Sequence, residues 1–195
     1  MITTRNFALA AFIGAAFAVP AQAQTTLTYS SWVPPTHHLT LWQQNWASEL
    51  EKATGGRIKT QSLPKAPAAP PGTFDAVRDG LMDFSYVTAS YTPARHIMPL
   101  MAELPGAGAT AEINSVAFSR IHWKHFHKLG EYNGVKLLAV WTHGPGQMFT
   151  KKPVKTLADF KNMKIRTGGG ISEQVITVLG GSPFFKPAIA PVSTP

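Results

Sequence analysis

The chain has 195 residues, 44% of them hydrophobic, with 18 Lys and Arg against 10 Asp and Glu, a formal charge of +8 and no cysteine. That length and apolar content suit one or two domains with a real core and exclude a disordered tail. A chain without cysteine has no disulfide framework, no thiolate metal centre and no lipid anchor through an N-terminal cysteine.

The chain begins MITTRNFALAAFIGAAFAVPAQAQ. A positive residue at Arg5, an apolar run over 8–19 and a small-x-small site at Ala21-Gln22-Ala23 are the layout of a cleaved secretory signal peptide, 1–23. The run is short for a permanent bilayer span. The expectation is a soluble protein of the periplasm that is not membrane-embedded after cleavage. Its Lys and Arg residues are scattered singly or in pairs such as Lys151-Lys152, so the charge serves solubility and long-range attraction of small anions. A nucleic-acid partner is not expected, because there is no dense basic stretch and export removes it from reach.

TTLTYSSW, 25–32, is rich in Thr, Tyr and Trp and reads as a strand. The paired prolines of VPPTHH make the next segment a rigid loop. Leu39, Trp42, Trp46, Leu50 and Ala53 recur at three- and four-residue steps, predicting an amphipathic helix that ends at Gly55-Gly56 with the two tryptophans in the core. RIKTQSL resumes an extended strand, and PKAPAAPPG, 64–72, is loop. A short helix is expected around Phe74, Val77 and Leu81, then a strand at 83–91, a helix at 111–129 closed by Gly130, and a buried parallel strand at VKLLAVW, 135–141. Thr156 with Asp159 predicts a capped short helix. MKIRT is a strand, and 172–179 a helix. The grammar is α/β, with ligands expected beyond the carboxyl ends of parallel strands. Trp32, Tyr91, Gln147 and Arg166 stand at or just past such ends.

Arg166 precedes Gly168-Gly169-Gly170 and a helix start. Its planar fork of donors matches a carboxylate, and glycines let backbone approach a ligand closely. Spacing alone leaves open whether Arg166 is a ligand cation or a solvated strand-end charge. His122, His125 and His127 lack a third or fourth ligand in register, so they read as a half-exposed helix face and no metal is assigned. There is no G-x-S-x-G elbow, H-E-x-x-H, Walker loop or cysteine nucleophile, and nothing calls for a cofactor, so the chain does not read as an enzyme.

In order, LTYSSWVPPTHHLTLWQQNWASELEKATGGRIKTQSLP, FDAVRDGLMDFSYVTASYTPARHIMPLMAELPG, FTKKPVKTLADFKNMKIRTGGG and VLGGSPFFKPA resemble the solute-binding proteins of tripartite ATP-independent periplasmic (TRAP) transporters, the dicarboxylate-binding type. The resemblance covers residues 25–188. It implies an α/β two-lobe clamshell of the periplasmic binding protein type II kind that captures an organic acid and delivers it to TRAP membrane permease subunits. The arginine of the KIR motif, Arg166 here, pairs with the ligand carboxylate in that family. The loop from Trp32 to His37 and the residues from Thr88 to Tyr91 line the cleft, and Gly169 belongs to the adjoining turn.

Two departures from the family pattern stand out. Many relatives carry a second arginine before FT, where this chain has Gln147, which favours a monocarboxylate with an aromatic or keto group. The family also runs well past this point, whereas FFKPA passes here into IAPVSTP. The expected organisation is therefore a first lobe over 24–142, an incomplete second lobe over 143–188, and a non-native tail over 189–195, with open sheet edges and an unfinished apolar face that predict poor folding and a fragment that does not bind normally. Rival readings are the binding subunit of an ATP-driven importer and a secreted sensor or interaction domain; an exported hydrolase ranks last.

Overall fold

Thr25–Tyr29 forms β1 and Ile58–Ser62 forms β2, paired in parallel with Thr25 opposite Ile58 and Tyr29 opposite Ser62. The computed structural model describes residues 24–187; the expected signal peptide and non-native tail lie outside the described residues. Helix α1, His38–Ala53, makes the crossover between the two strands. It begins where the ring Nδ1 of His37 accepts the Leu39 N–H at 3.2 Å, satisfying one of the amide donors left free in the first turn. It ends at Gly55 and Gly56, whose φ of 59° and 78° suit glycine at a helix exit.

The buried face of α1 is Thr40, Gln43 and Ala47. The tryptophan stripe expected in the core is displaced from it: Trp42 is exposed and leans on Trp141 at 5.1 Å, and Trp46 is half-buried against Phe84 at 5.0 Å. The polar face points inward because the loop after β1 needs partners. Gln43 Nε2 donates to the Ser30 carbonyl at 3.3 Å and Thr40 Oγ1 to the Val33 carbonyl at 3.3 Å, which satisfies buried groups that would otherwise be costly.

Helix α2, Thr73–Arg78, follows the Pro-rich connection. The strand expected at 83–91 is reduced to a single bridge, Phe84 beside Tyr29. Asp83 replaces a ladder rung, its Oδ2 accepting the Thr28 N–H at 2.6 Å and the Thr28 hydroxyl at 2.7 Å. Residues Ala89–Tyr91 and Met98–Glu103 then coil as 3-10 turns. Helix α3, Ala111–Ile121, runs into a π turn at His122–Phe126 and a 3-10 turn at His127–Leu129, closed by Gly130 at φ 75°.

Residues 135–141, among the described residues, pair with no strand. Val140 alone of that run is buried. The apolar run was expected to form a buried strand, and it has the composition but not the ladder, since a strand exists only when a neighbour answers its backbone groups.

Lys164–Thr167 forms β3 and Ser182–Phe185 forms β4, a second parallel pair with Arg166 opposite Phe184 and Thr167 opposite Phe185. Helix α4, Ile171–Val178, crosses between them. The 3-10 turn Leu157–Phe160 ahead of β3 carries the expected cap, with Asp159 Oδ2 accepting the Thr156 N–H at 2.7 Å. Each sheet is thus one strand–helix–strand unit. No helix among the described residues is long and apolar enough to cross a membrane.

Candidate functional site

The site grows from the end of β1. Ser31 Oγ lies 2.6 Å from Thr40 Oγ1 and 2.9 Å from the Tyr86 hydroxyl, and Ser85 Oγ donates to the Ser30 carbonyl at 2.8 Å. These bonds fix the backbone just ahead of Trp32. Its ring then packs against Tyr86 at 5.3 Å and Tyr91 at 5.6 Å. Trp32 Nε1 is buried with no hydrogen-bond partner, an uncommon state for an indole donor. Burial raises the Tyr86 pKa, the bond from Ser31 works against that rise and Tyr91 adds to it.

The second sheet meets this wall through Phe185 of β4. Its ring lies edge-on to Tyr91 at 5.6 Å. The β3–α4 turn closes in beside them. A Cβ on Gly169, where φ is 87°, would lie 2.5 Å from the Ser90 carbonyl oxygen and 3.2 Å from the Phe185 ring. One on Gly170, at φ 61°, would lie 2.6 Å from Glu103 Oε2 and 2.9 Å from Ser90 Cβ. The glycines expected to admit a ligand here admit Ser90, Phe185 and Glu103, and only glycine meets both the dihedral and the space.

The structure therefore brings Trp32, Tyr91 and Gly169 into one continuous run. Thr88 adjoins it as the extended residue before the Ala89–Tyr91 turn, its carbonyl accepting the Tyr91 N–H at 3.1 Å. Arg166 lies on β3, exposed, with Nε donating to the Lys186 carbonyl at 2.6 Å. Alternation along the strand puts its side chain on the opposite face from buried Thr167. Gln147 is elsewhere, exposed in the irregular segment 141–150, its Nε2 donating to the Pro145 carbonyl at 3.4 Å. His37 is occupied as the cap of α1, and burial followed by the neighbouring His38 lowers its pKa, which suits an acceptor nitrogen.

One residue with site-like surroundings escaped the sequence reading, and another was placed wrongly by it. Glu103 reaches the start of α4, its Oε2 accepting the Ile171 N–H at 3.2 Å. Nothing local marks it, because its partners are remote in the chain. His122, expected on a half-exposed face, is 1% exposed with both ring nitrogens unpartnered, while His125 and His127 are exposed. His122 and His127 still meet edge to face, with ring centroids 6.0 Å apart. A cavity of about 170 Å³ lies next to them, lined by Trp123, His127, Tyr132 and Lys136 among others, away from the run around Trp32.

The family model of the bacterial extracellular solute-binding proteins, family 7, matches residues 29–187. A crystal structure of a TRAP periplasmic solute-binding protein from Bordetella bronchiseptica, with bound (R)- and (S)-mandelate, is 44% identical, with a TM-score of 0.80 over 84% of this chain and 53% of that one. One from Rhodoferax ferrireducens with copurified benzoate is 27% identical, with a TM-score of 0.76 over 84% of this chain and 52% of that one. Among curated proteins, the outer membrane transporter protein TsaT of Comamonas testosteroni is 30% identical over 94% of this chain and 55% of its own length. The chain thus spans about half the length of the relatives it matches. Its α/β fold is that of the two-lobe clamshells, as the resemblance implied.

Proposed function

The chain belongs to the bacterial extracellular solute-binding proteins of family 7, and on that footing we propose that it captures a small organic acid in the periplasm for a TRAP transporter, whose membrane permease subunits receive it. The role is that of a receptor without catalysis. The observation that carries this reading is the aromatic run Trp32–Tyr86, Trp32–Tyr91 and Tyr91–Phe185, which joins the end of β1 to β4.

A ring-bearing acid suits such a wall, since offset or tilted ring pairs add about 0.5–1.5 kcal/mol each beyond buried area. The 44%-identical relative holds mandelate, and the Rhodoferax protein holds benzoate. The cation in this reading is Arg166, whose side chain leaves β3 on the face opposite Thr167 and Phe185. Its bond to Lys186 occupies one of five guanidinium donors and leaves the terminal pair for a carboxylate. Trp32, Thr88, Tyr91 and Gly169 shape the slot, while His37 caps α1 and Gln147 lies apart from it. Gln147 in place of a second cation suits an acid with a single carboxylate. The lobes divide at 142/143, and residues 1–23 direct export.

Calorimetric titration of the full chain with benzoate and with mandelate tests this. Saturable binding that Arg166→Ala weakens at least tenfold is expected. No binding of either acid at millimolar concentration would sink the reading.

A further inference from the structure

The cavity of about 170 Å³ beside the histidines stands apart from the aromatic run, and two stretches of chain wall it. The π turn and the 3-10 turn after it supply Trp123 and His127, whose rings lie 4.9 Å apart. Beyond Gly130 the chain returns with Tyr132, Asn133 and Lys136. Two backbone bonds fix that return: the Asn133 N–H donates to the Gly130 carbonyl at 3.0 Å, and the Val135 N–H to the Tyr132 carbonyl at 3.3 Å. A Cβ on Gly130 would lie 2.6 Å from Asn133 Nδ2, so glycine leaves the carboxamide its place in the wall. The rings share one support. His122, 1% exposed, lies 5.3 Å from the Trp123 ring, 5.7 Å from Tyr132 and 6.0 Å from His127.

Flat rings and polar groups therefore face the same space. Among the described residues, the side chains of His127, Asn133 and Lys136 form no hydrogen bond or ion pair. No acid is in the lining. Glu131, which stands between two lining residues in sequence, is engaged elsewhere, its Oε1 accepting the Ile97 N–H at 2.9 Å and the Met98 N–H at 3.0 Å. Size narrows the choice of ligand, because a cavity of about 150 Å³ takes one benzene ring. The faces of Trp123 and Tyr132 suit a ring, and the Lys136 ammonium and Asn133 amide suit an anionic group on it. We propose that this cavity is a second small-molecule site, which takes a single aromatic ring carrying one anionic group. Trp123, His127, Asn133 and Lys136 are exposed, so such a ligand can enter without any rearrangement of the chain.

The test is a titration of the nitrogen-15-labelled full chain with benzenesulfonate, followed at the Gly130 amide and the Asn133 side-chain amide by NMR. Both signals should shift and saturate. Benzenesulfonate is expected to bind at least tenfold more tightly than methanesulfonate, which lacks the ring, and benzyl alcohol, which lacks the charge. Lys136→Gln should weaken it at least fivefold with no change in thermal midpoint, and Trp123→Leu should weaken it to a similar degree. Shifts confined to the Gly169 amide, or none at all, would overturn the proposal. So would methanesulfonate binding as tightly as benzenesulfonate, or an unchanged affinity in a folded Lys136→Gln protein. The Gly130 and Asn133 signals report this cavity, so the result stands or falls separately from the capture of an acid near Arg166.

Discussion

Tyr91 and Phe185 meet edge to face, with ring centroids 5.6 Å apart and planes at 65°. Tyr91 follows the β1 sheet and Phe185 ends the second one, so this pair is a weld between two strand–helix–strand units. Phe185→Ala should cost about 1 kcal/mol through loss of the ring pair alone, read as a lower urea midpoint. If the midpoint holds, the two units do not stabilise each other through these rings.

The glycine turn offers an internal control. Gly169→Ala puts a methyl 2.5 Å from the Ser90 carbonyl at φ 87°, whereas a Cβ on Gly168 meets nothing within 4 Å. The first substitution should destabilise by about 1–3 kcal/mol through strain and forced separation, and Gly168→Ala should be near neutral. Parallel thermal melts decide it. Equal losses would mean that the close approach of the turn to Ser90 contributes nothing.

Asp83 stands in for a strand rung by accepting both donors of Thr28. Asp83→Ala should cost about 1–2 kcal/mol and speed hydrogen exchange at the Thr28 amide. Asp83→Asn, which keeps one acceptor oxygen, should recover part of the protection. Slow exchange at Thr28 in the alanine variant would refute the rung.

Stability should fall in mild acid. His96 is fully buried with Nδ1 2.8 Å from Thr92 Oγ1 and Nε2 unpartnered, and His122 is buried with neither nitrogen paired. Burial is the largest cause lowering both pKa values, followed by Arg95 for His96 and His127 for His122; Glu131 opposes both shifts and Asp75 opposes the first. Lowered values mean that the unfolded chain takes up protons first, near its ordinary pKa of about 6.5. Stability therefore drops as pH falls below that value and levels off only under the depressed native values. Urea midpoints at pH 8, 7, 6 and 5 should decline, and His122→Phe should flatten the decline. A midpoint independent of pH would contradict the burial argument.

Much of the architecture was legible because it is written locally. The Thr-rich β1, the double-glycine exit of α1 and the Thr156–Asp159 cap each declare themselves within a few residues, and the structure has all three. What escaped depends on distant partners. Residues 135–141 have a strand's composition, but among the described residues no neighbour answers them. β4 went unremarked because Pro183 sits inside it and argues against a strand, although in a two-stranded sheet every strand is an edge where proline is tolerated. Trp42 read as core from its period, yet polar Thr40 and Gln43 took the inner face to serve the loop at 30–33. In the aromatic run, Trp32 and Tyr91 were marked by the strand ends that the sequence predicts. Glu103 was invisible, since its meaning lies in an amide far along the chain.

The stretch at 135–141, which among the described residues pairs with no strand, has a consequence for the protein in bulk. Its amides and carbonyls are a template on which a like segment of another molecule can lie down, with Leu138 and Trp141 offering grease along the rim. How crowded a solution is, more than how warm, will decide how long it stays clear.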